Sequence, residues 1–181
     1  NPTSEPKNLS NYMISRFSNG SSSAFPNQRY ELPDVMLEPY EAWVIVLDKT
    51  NPEGEGQEQP VTQKLQERAD HFANPVYNDN NTMYFNGNDV MVLSNIAGGG
   101  TGFPVDIFGR VGENPGEPNF PDLGGWNDVL PGYTTNENGV PGWTVNHRMI
   151  RKTEVTIGRF AGATVFNTGA EWDSTAAPGA Q

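Results

Sequence analysis

Two oxygen-rich turns hold the residues of this chain best suited to chemistry. Asn78-Asp79-Asn80-Asn81 and Asn86-Gly87-Asn88-Asp89 set carboxylate and amide oxygens side by side, the ligand type that a hard cation such as calcium takes. Asp79 and Asp89 are the candidate metal ligands, with calcium as the ion. No Glu closes either segment as in the twelve-residue calcium loop, and Asx-rich turns also form for backbone reasons alone. A second constellation is aromatic. Trp126, Tyr133 and, just beyond, Trp143 belong to a tract rich in Gly, Pro, Asn and Asp over 113–142. Such rings either offer a platform to a sugar or pin a long loop onto the body of the fold. These three are the candidate ligand-binding residues, with pinning as the other reading.

Catalytic motifs are absent. Without cysteine, the chain has no disulfide, thiol nucleophile or thiolate metal site. It has no Gly-x-Ser-x-Gly elbow and no phosphate-cradling Gly-x-x-x-x-Gly-Lys-Ser/Thr. Gly98-Gly99-Gly100 lacks the strand-to-helix setting of a phosphate loop. Glu31 and Glu41 are conceivable as a glycosidase pair, but nothing fixes their separation. The two histidines, His71 and His147, are expected to be structural. The chain is expected not to be an enzyme.

The net charge of -11 over 181 residues repels phosphate backbones and anionic membranes, which excludes nucleic acid as the expected partner. No run of apolar residues is long enough to insert into a membrane. Gly (20) and Pro (15) make up about a fifth of the chain and 35% of it is hydrophobic, a composition of ordered strands with long polar loops. One domain over 1–181 is expected, with insertions at about 50–80 and 113–142.

The elements that must position these groups are mostly strands. Residues 9–16 read as a strand with Tyr12, Ile14 and Arg16 on one face and Met13 and Phe17 on the other. Residues 29–37 are extended but broken by Pro33, which suits an edge. Residues 42–48 are a continuous β-run without alternation, expected to be buried on both sides. Val61, Leu65, Ala69 and Phe72 recur at helical spacing, so one short helix is predicted near 61–72, with His71 at its C-terminal end. Residues 83–85 and 90–94 are predicted strands around the Asn86–Asp89 turn, followed by strands at 104–111, 144–153 and 164–166. Trp43, Ile45, Leu47, Phe85, Val92, Ile107 and Phe108 are the predicted core.

Taken in order, several short motifs resemble a bacterial secreted lamin-tail domain. They are Asn1-Pro2-Thr3, Leu9-Ser10-Asn11-Tyr12-Met13-Ile14, Leu37-Glu38-Pro39-Tyr40-Glu41 before Trp43-Val44-Ile45-Val46, Phe85-Asn86-Gly87-Asn88-Asp89-Val90, Val105-Asp106-Ile107-Phe108-Gly109, His147-Arg148-Met149-Ile150-Arg151-Lys152 and Glu171-Trp172-Asp173. The resemblance implies an all-β, immunoglobulin-like β-sandwich with long loops. It also implies a binding or architectural accessory module for which no catalytic set transfers. Such domains begin with one or two further strands, so this chain is expected to start after them; the edge at 9–16 or 42–48 is then covered by those preceding strands, by another segment of this chain such as 158–172, or by a strand added from another molecule.

The expected function is an extracellular, non-catalytic structural or adhesive module of a bacterial surface protein or fibre, able to assemble by strand addition with a protein partner or a second copy. The alternative is a carbohydrate- or calcium-binding accessory domain of a secreted enzyme, which would take a glycan.

Overall fold

Two six-residue runs, Tyr12–Phe17 and Val90–Asn95, form the centre of the main sheet. The second alternates buried and half-buried residues along its whole length, as a strand between two unequal faces does. The computed structural model describes residues 1–57, 62–115, 125–126, 144–145, 147–160 and 166–176. In chain order the strands are β1 (Lys7–Asn8), β2 (Tyr12–Phe17), β3 (Arg29–Glu31), β4 (Met36–Leu37), β5 (Ile45–Leu47), β6 (His71–Ala73), β7 (Val90–Asn95), β8 (Phe103–Phe108), β9 (His147–Arg151) and β10 (Trp172–Ala176). Two single-turn helices, α1 (Gln63–Gln66) and α2 (Thr168–Glu171), and three 3-10 turns at Leu9–Asn11, Ser18–Gly20 and Pro26–Gln28 accompany the strands among the described residues. The fold is all-β.

The main sheet has the order β3-β2-β7-β8 and is antiparallel throughout. Arg29, Ser15, Val92 and Ile107 stand in one row across it. Met13, Ser94 and Pro104 form the next row on the same face. A register shift in the β7–β8 ladder leaves Val105 as an extra residue, a bulge that bends the outer strand. Three two-stranded pairs accompany the sheet. β1 with β4 and β9 with β10 are antiparallel, and β5 with β6 is parallel.

Each face of the sheet carries an apolar cluster. Val90, Val92 and Ile107 pack with Trp126 and Phe166 on one side, joined by Phe17, Phe108, Val111 and Trp172. Leu9, Leu32 and Leu37 pack with Tyr12, Ile14, Tyr30, Trp43 and Leu93 on the other. A polar node locks the first cluster. The Thr144 hydroxyl donates to the Gly87 carbonyl and accepts from the Trp126 backbone N–H at 2.9 Å. A Cβ at Gly87, whose φ is 109°, would lie 2.1 Å from the Thr144 carbonyl oxygen, so only glycine fits there.

Several expectations are corrected. The helix predicted over 61–72 is one turn, and His71–Ala73 is strand β6 instead. The backbone N–H groups of Asp70 and His71 both donate to the Val44 carbonyl, and the Asp70 carboxylate accepts the Val44 N–H at 2.7 Å. Pairing with the β5 region thus takes the backbone away from i→i−4 bonding, and Leu65 and Phe72 remain exposed. The strand predicted over 42–48 shrinks to Ile45–Leu47, where Val46 is buried and its neighbours are half-buried. Residues 9–11 are a 3-10 turn before β2. No strand forms at 83–85. Helix α2, which no periodicity announced, is capped by the Asn167 side chain accepting the Ala170 N–H.

Of the predicted core, Val92 and Ile107 are buried, Trp43, Ile45, Leu47 and Phe108 are half-buried, and Phe85 is 52% exposed. The edge expected at 9–16 is closed: β2 lies inside the sheet, paired on both sides by this chain. The break at Pro33 falls where expected, between β3, an outer strand, and β4.

Candidate functional site

Asp89 stands immediately before β7 and is 1% exposed. One of its carboxylate oxygens accepts the Arg16 Nε–H at 2.8 Å and the other accepts the Asn19 backbone N–H at 3.1 Å. Arg16 comes from β2 and also donates from Nη1 to the Asn81 carbonyl at 2.9 Å. Both oxygens of the candidate ligand are therefore engaged inside the protein, and the guanidinium supplies the counter-charge that burial demands. Asp79 is exposed on a different turn, where it accepts from the Asn74 side chain at 3.1 Å. Among the described residues no three His, Asp or Glu side chains come together in a way that holds a metal ion.

Trp126 is 1% exposed. Its indole N–H donates to the Asp89 carbonyl at 3.4 Å and its ring meets Phe166 edge-to-face at 5.4 Å. No face of this ring is open to a sugar, so Trp126 leaves the ligand platform and acts as an anchor. Tyr133 and Trp143 lie outside the described residues.

His71 stacks on Trp43 with centroids 5.3 Å apart, and its Nε2 is hydrogen-bonded to the Tyr30 hydroxyl at 2.8 Å. This cluster joins β6 to β3. Burial pushes the Tyr30 phenol above its usual pKa. His147 begins β9, with Nδ1 against the Val145 carbonyl. Glu31 and Glu41 are both exposed, and the Glu41 carboxylate accepts the Glu38 N–H at 2.8 Å.

The surroundings of β8 were not foreseen. Asp106 ties two distant segments to this strand: it accepts from Arg151 Nη1 at 2.8 Å and from the Arg159 backbone N–H at 2.9 Å. Arg151 stacks over Trp172, 4.8 Å from the ring centroid, and reaches Glu171 at 3.3 Å. The Arg159 guanidinium lies over Phe166 and donates to the Gly109 carbonyl. Burial pulls its pKa below the ordinary value, while Glu171 and Asp106 draw it back up. The segment 157–160 therefore lies beside β8, with Gly158 against the Val105 carbonyl.

β8 is also the last strand of the sheet, and among the described residues no strand pairs with its outer side. Phe103 on it is 78% exposed, and Ile157 and Phe160 in the adjoining segment are exposed as well. Unpaired backbone beside apolar side chains is an association-prone arrangement. The short apolar run Val105-Asp106-Ile107-Phe108 marked this strand in the sequence, predicted over 104–111 and observed over Phe103–Phe108, but its place at the edge depends on pairings that only the fold reveals.

The chain matches no protein-family model, no curated protein and no solved structure.

Proposed function

We propose that this protein is a non-catalytic structural or adhesive module, displayed outside a bacterial cell, that associates with a protein partner or a second copy by strand addition at β8. The observation that carries the reading is this outer strand, with exposed Phe103 and the neighbouring exposed Ile157 and Phe160. An added strand would gain main-chain hydrogen bonds on the part of β8 that the segment 157–160, whose Gly158 lies against the Val105 carbonyl, leaves open, and would cover these side chains. Strand addition at 9–16 is not part of the proposal, because β2 already has two partners. The use of Asp89, which is wholly enclosed, and of the half-buried Asp106 as internal ties to arginines supports a structural role for these acidic groups. The same reading takes the fold as an immunoglobulin-like sandwich of lamin-tail type, supported by the all-β sheet and by the order of the motifs that resemble that family.

Light scattering over a concentration series tests the proposal. The mass is expected to rise with concentration for the unaltered protein and to stay monomeric for Phe103→Lys, since a charged edge residue blocks pairing. An unaltered protein that remains monomeric at every concentration and captures no added strand from its native surface overturns the reading.

A further inference from the structure

The face of the sheet that holds the row Arg29–Ser15–Val92 carries a pocket of about 330 Å³. Ser15 on β2 and Ser94 on β7 both line it. Each residue is only 4% exposed, and neither hydroxyl is sealed away among the buried atoms that lack a partner, so both oxygens are reached from the pocket. Buried hydroxyls are ordinarily paired with protein or water, so these two present unused donors and acceptors to whatever fills the space. Arg29 stands beside Ser15 in the β3–β2 ladder and also lines the pocket. Its Nη2 donates to the Ala24 carbonyl at 2.8 Å, and no carboxylate pairs with it among the described residues. The remaining guanidinium N–H groups are left for an anion. The floor is apolar, formed by Phe17, Val92 and Ile107, and the exposed Thr101 stands at the rim.

We infer that this pocket binds a carboxylate-bearing sugar, a uronic acid or the uronic acid end of an acidic glycan. The three features select this chemistry together. A fatty or aromatic acid would satisfy Arg29 and the apolar floor but would cover the two pocket-facing hydroxyls without giving them a partner, which is costly. A small inorganic anion would engage Arg29 and leave the floor uncovered. A neutral sugar would leave the guanidinium unpaired. A pyranuronate has ring hydroxyls for Ser15 and Ser94, a C–H face for Phe17 and Val92, and a carboxylate for the planar fork of Arg29, a geometry suited to bidentate pairing. The volume is at the low end of small-molecule sites, which span about 300–1,000 Å³, so the pocket holds a single ring. This site is separate from β8's outer side and stands whether or not strand addition occurs.

Glucuronate, glucose and acetate are the probes, titrated into the unaltered protein and followed by two-dimensional amide NMR. Glucuronate is expected to shift resonances around Ser15, Arg29 and Ser94, and to bind at least tenfold more tightly than either glucose or acetate. The Ser15→Ala/Ser94→Ala double variant removes two unpaired hydroxyls, so it is expected to keep its urea midpoint while losing tenfold or more in glucuronate affinity. Arg29→Gln is expected to abolish the preference over glucose. The double variant decides the matter if Arg29→Gln fails to fold. The inference is overturned if glucuronate produces no localised shifts, if acetate or glucose binds as well as glucuronate, or if the double variant binds unchanged.

Discussion

Replacing Asp89 by alanine is expected to be among the most damaging single changes in the chain. Its carboxylate is wholly enclosed and its Arg16 partner nearly so, with side-chain exposures of 0% and 9%. Removing the acid leaves a guanidinium without counter-charge and the Asn19 N–H without its acceptor. Breaking one half of a buried ion pair costs about 3–5 kcal/mol, a large share of the roughly 5–15 kcal/mol that holds a typical domain together. Asp89→Asn keeps an acceptor for Asn19 but not the charge, so it should fall short of the full loss. Replacing both partners by apolar residues, Arg16→Met with Asp89→Leu, removes the charge problem altogether and should be less destabilising than Asp89→Ala alone. The assay is urea unfolding followed by tryptophan fluorescence, since Trp126 donates its indole N–H to the Asp89 carbonyl and reports on this node. The reasoning fails if Asp89→Ala costs less than about 1 kcal/mol, below the range for a broken buried pair, or if the effects of the two positions simply add.

Further expectations follow from the same structure. Trp126→Ala should cost about 3–5 kcal/mol, the range for emptying a buried aromatic site, whereas Phe85→Ala should stay within about 0.5 kcal/mol because its ring is exposed; urea midpoints compare them. Gly87→Ala should lower the melting temperature sharply by forcing a Cβ onto the Thr144 carbonyl, and a midpoint equal to that of the unaltered protein would contradict the close approach. Burial raises the Tyr30 pKa, so the folded state holds this proton more tightly than the unfolded one. The associated stability is present below the ordinary phenol value of about 10 and declines as pH rises through the higher folded value. Tyr30→Phe should lose about 1 kcal/mol with the His71 hydrogen bond and show a flatter alkaline decline, measured by thermal unfolding between neutral and strongly alkaline pH.

Local pattern announced the centre of the sheet, because Val90-Met91-Val92-Leu93-Ser94 and Val105-Asp106-Ile107-Phe108 are short apolar runs bounded by turn residues. It did not announce parity in 42–48, where Trp43-Val44-Ile45-Val46-Leu47 offers no polar residue to mark the outer face, and the structure buries Val46 rather than Ile45 and Leu47. The helix near 61–72 failed for a different reason: the stripe of Val61, Leu65, Ala69 and Phe72 is real, but Val44 captures the backbone at Asp70 and His71. Asp89 resembled a metal ligand because its turn is rich in oxygens, and its actual partner lies 73 residues away. One signal was available: Arg16 sits inside a strand run, and an arginine there needs an acid. For Trp126 the sequence carried no such signal; the close packing shows only in the structure, where a Cβ at Gly125 would lie 2.5 Å from a Val145 methyl. Ser15 and Ser94 were legible only as polar residues within apolar strands, and their shared pocket needed the β2–β7 register to become visible.

The node that joins Gly87, Trp126 and Thr144 also bears on how fast the chain can fold. The hydrogen bond from Thr144 to Gly87 spans 57 residues, and closing a loop of that length costs about 3–4 kcal/mol of chain entropy before the contact gives anything back. The central pairing of β2 with β7 is equally non-local, so the chain belongs with the slow-folding β topologies that take milliseconds to seconds. A clasp that can close only after both ends have been brought together forms late. Weakening it should therefore speed unfolding far more than it slows folding, which makes this node the latch that sets how long the folded state survives.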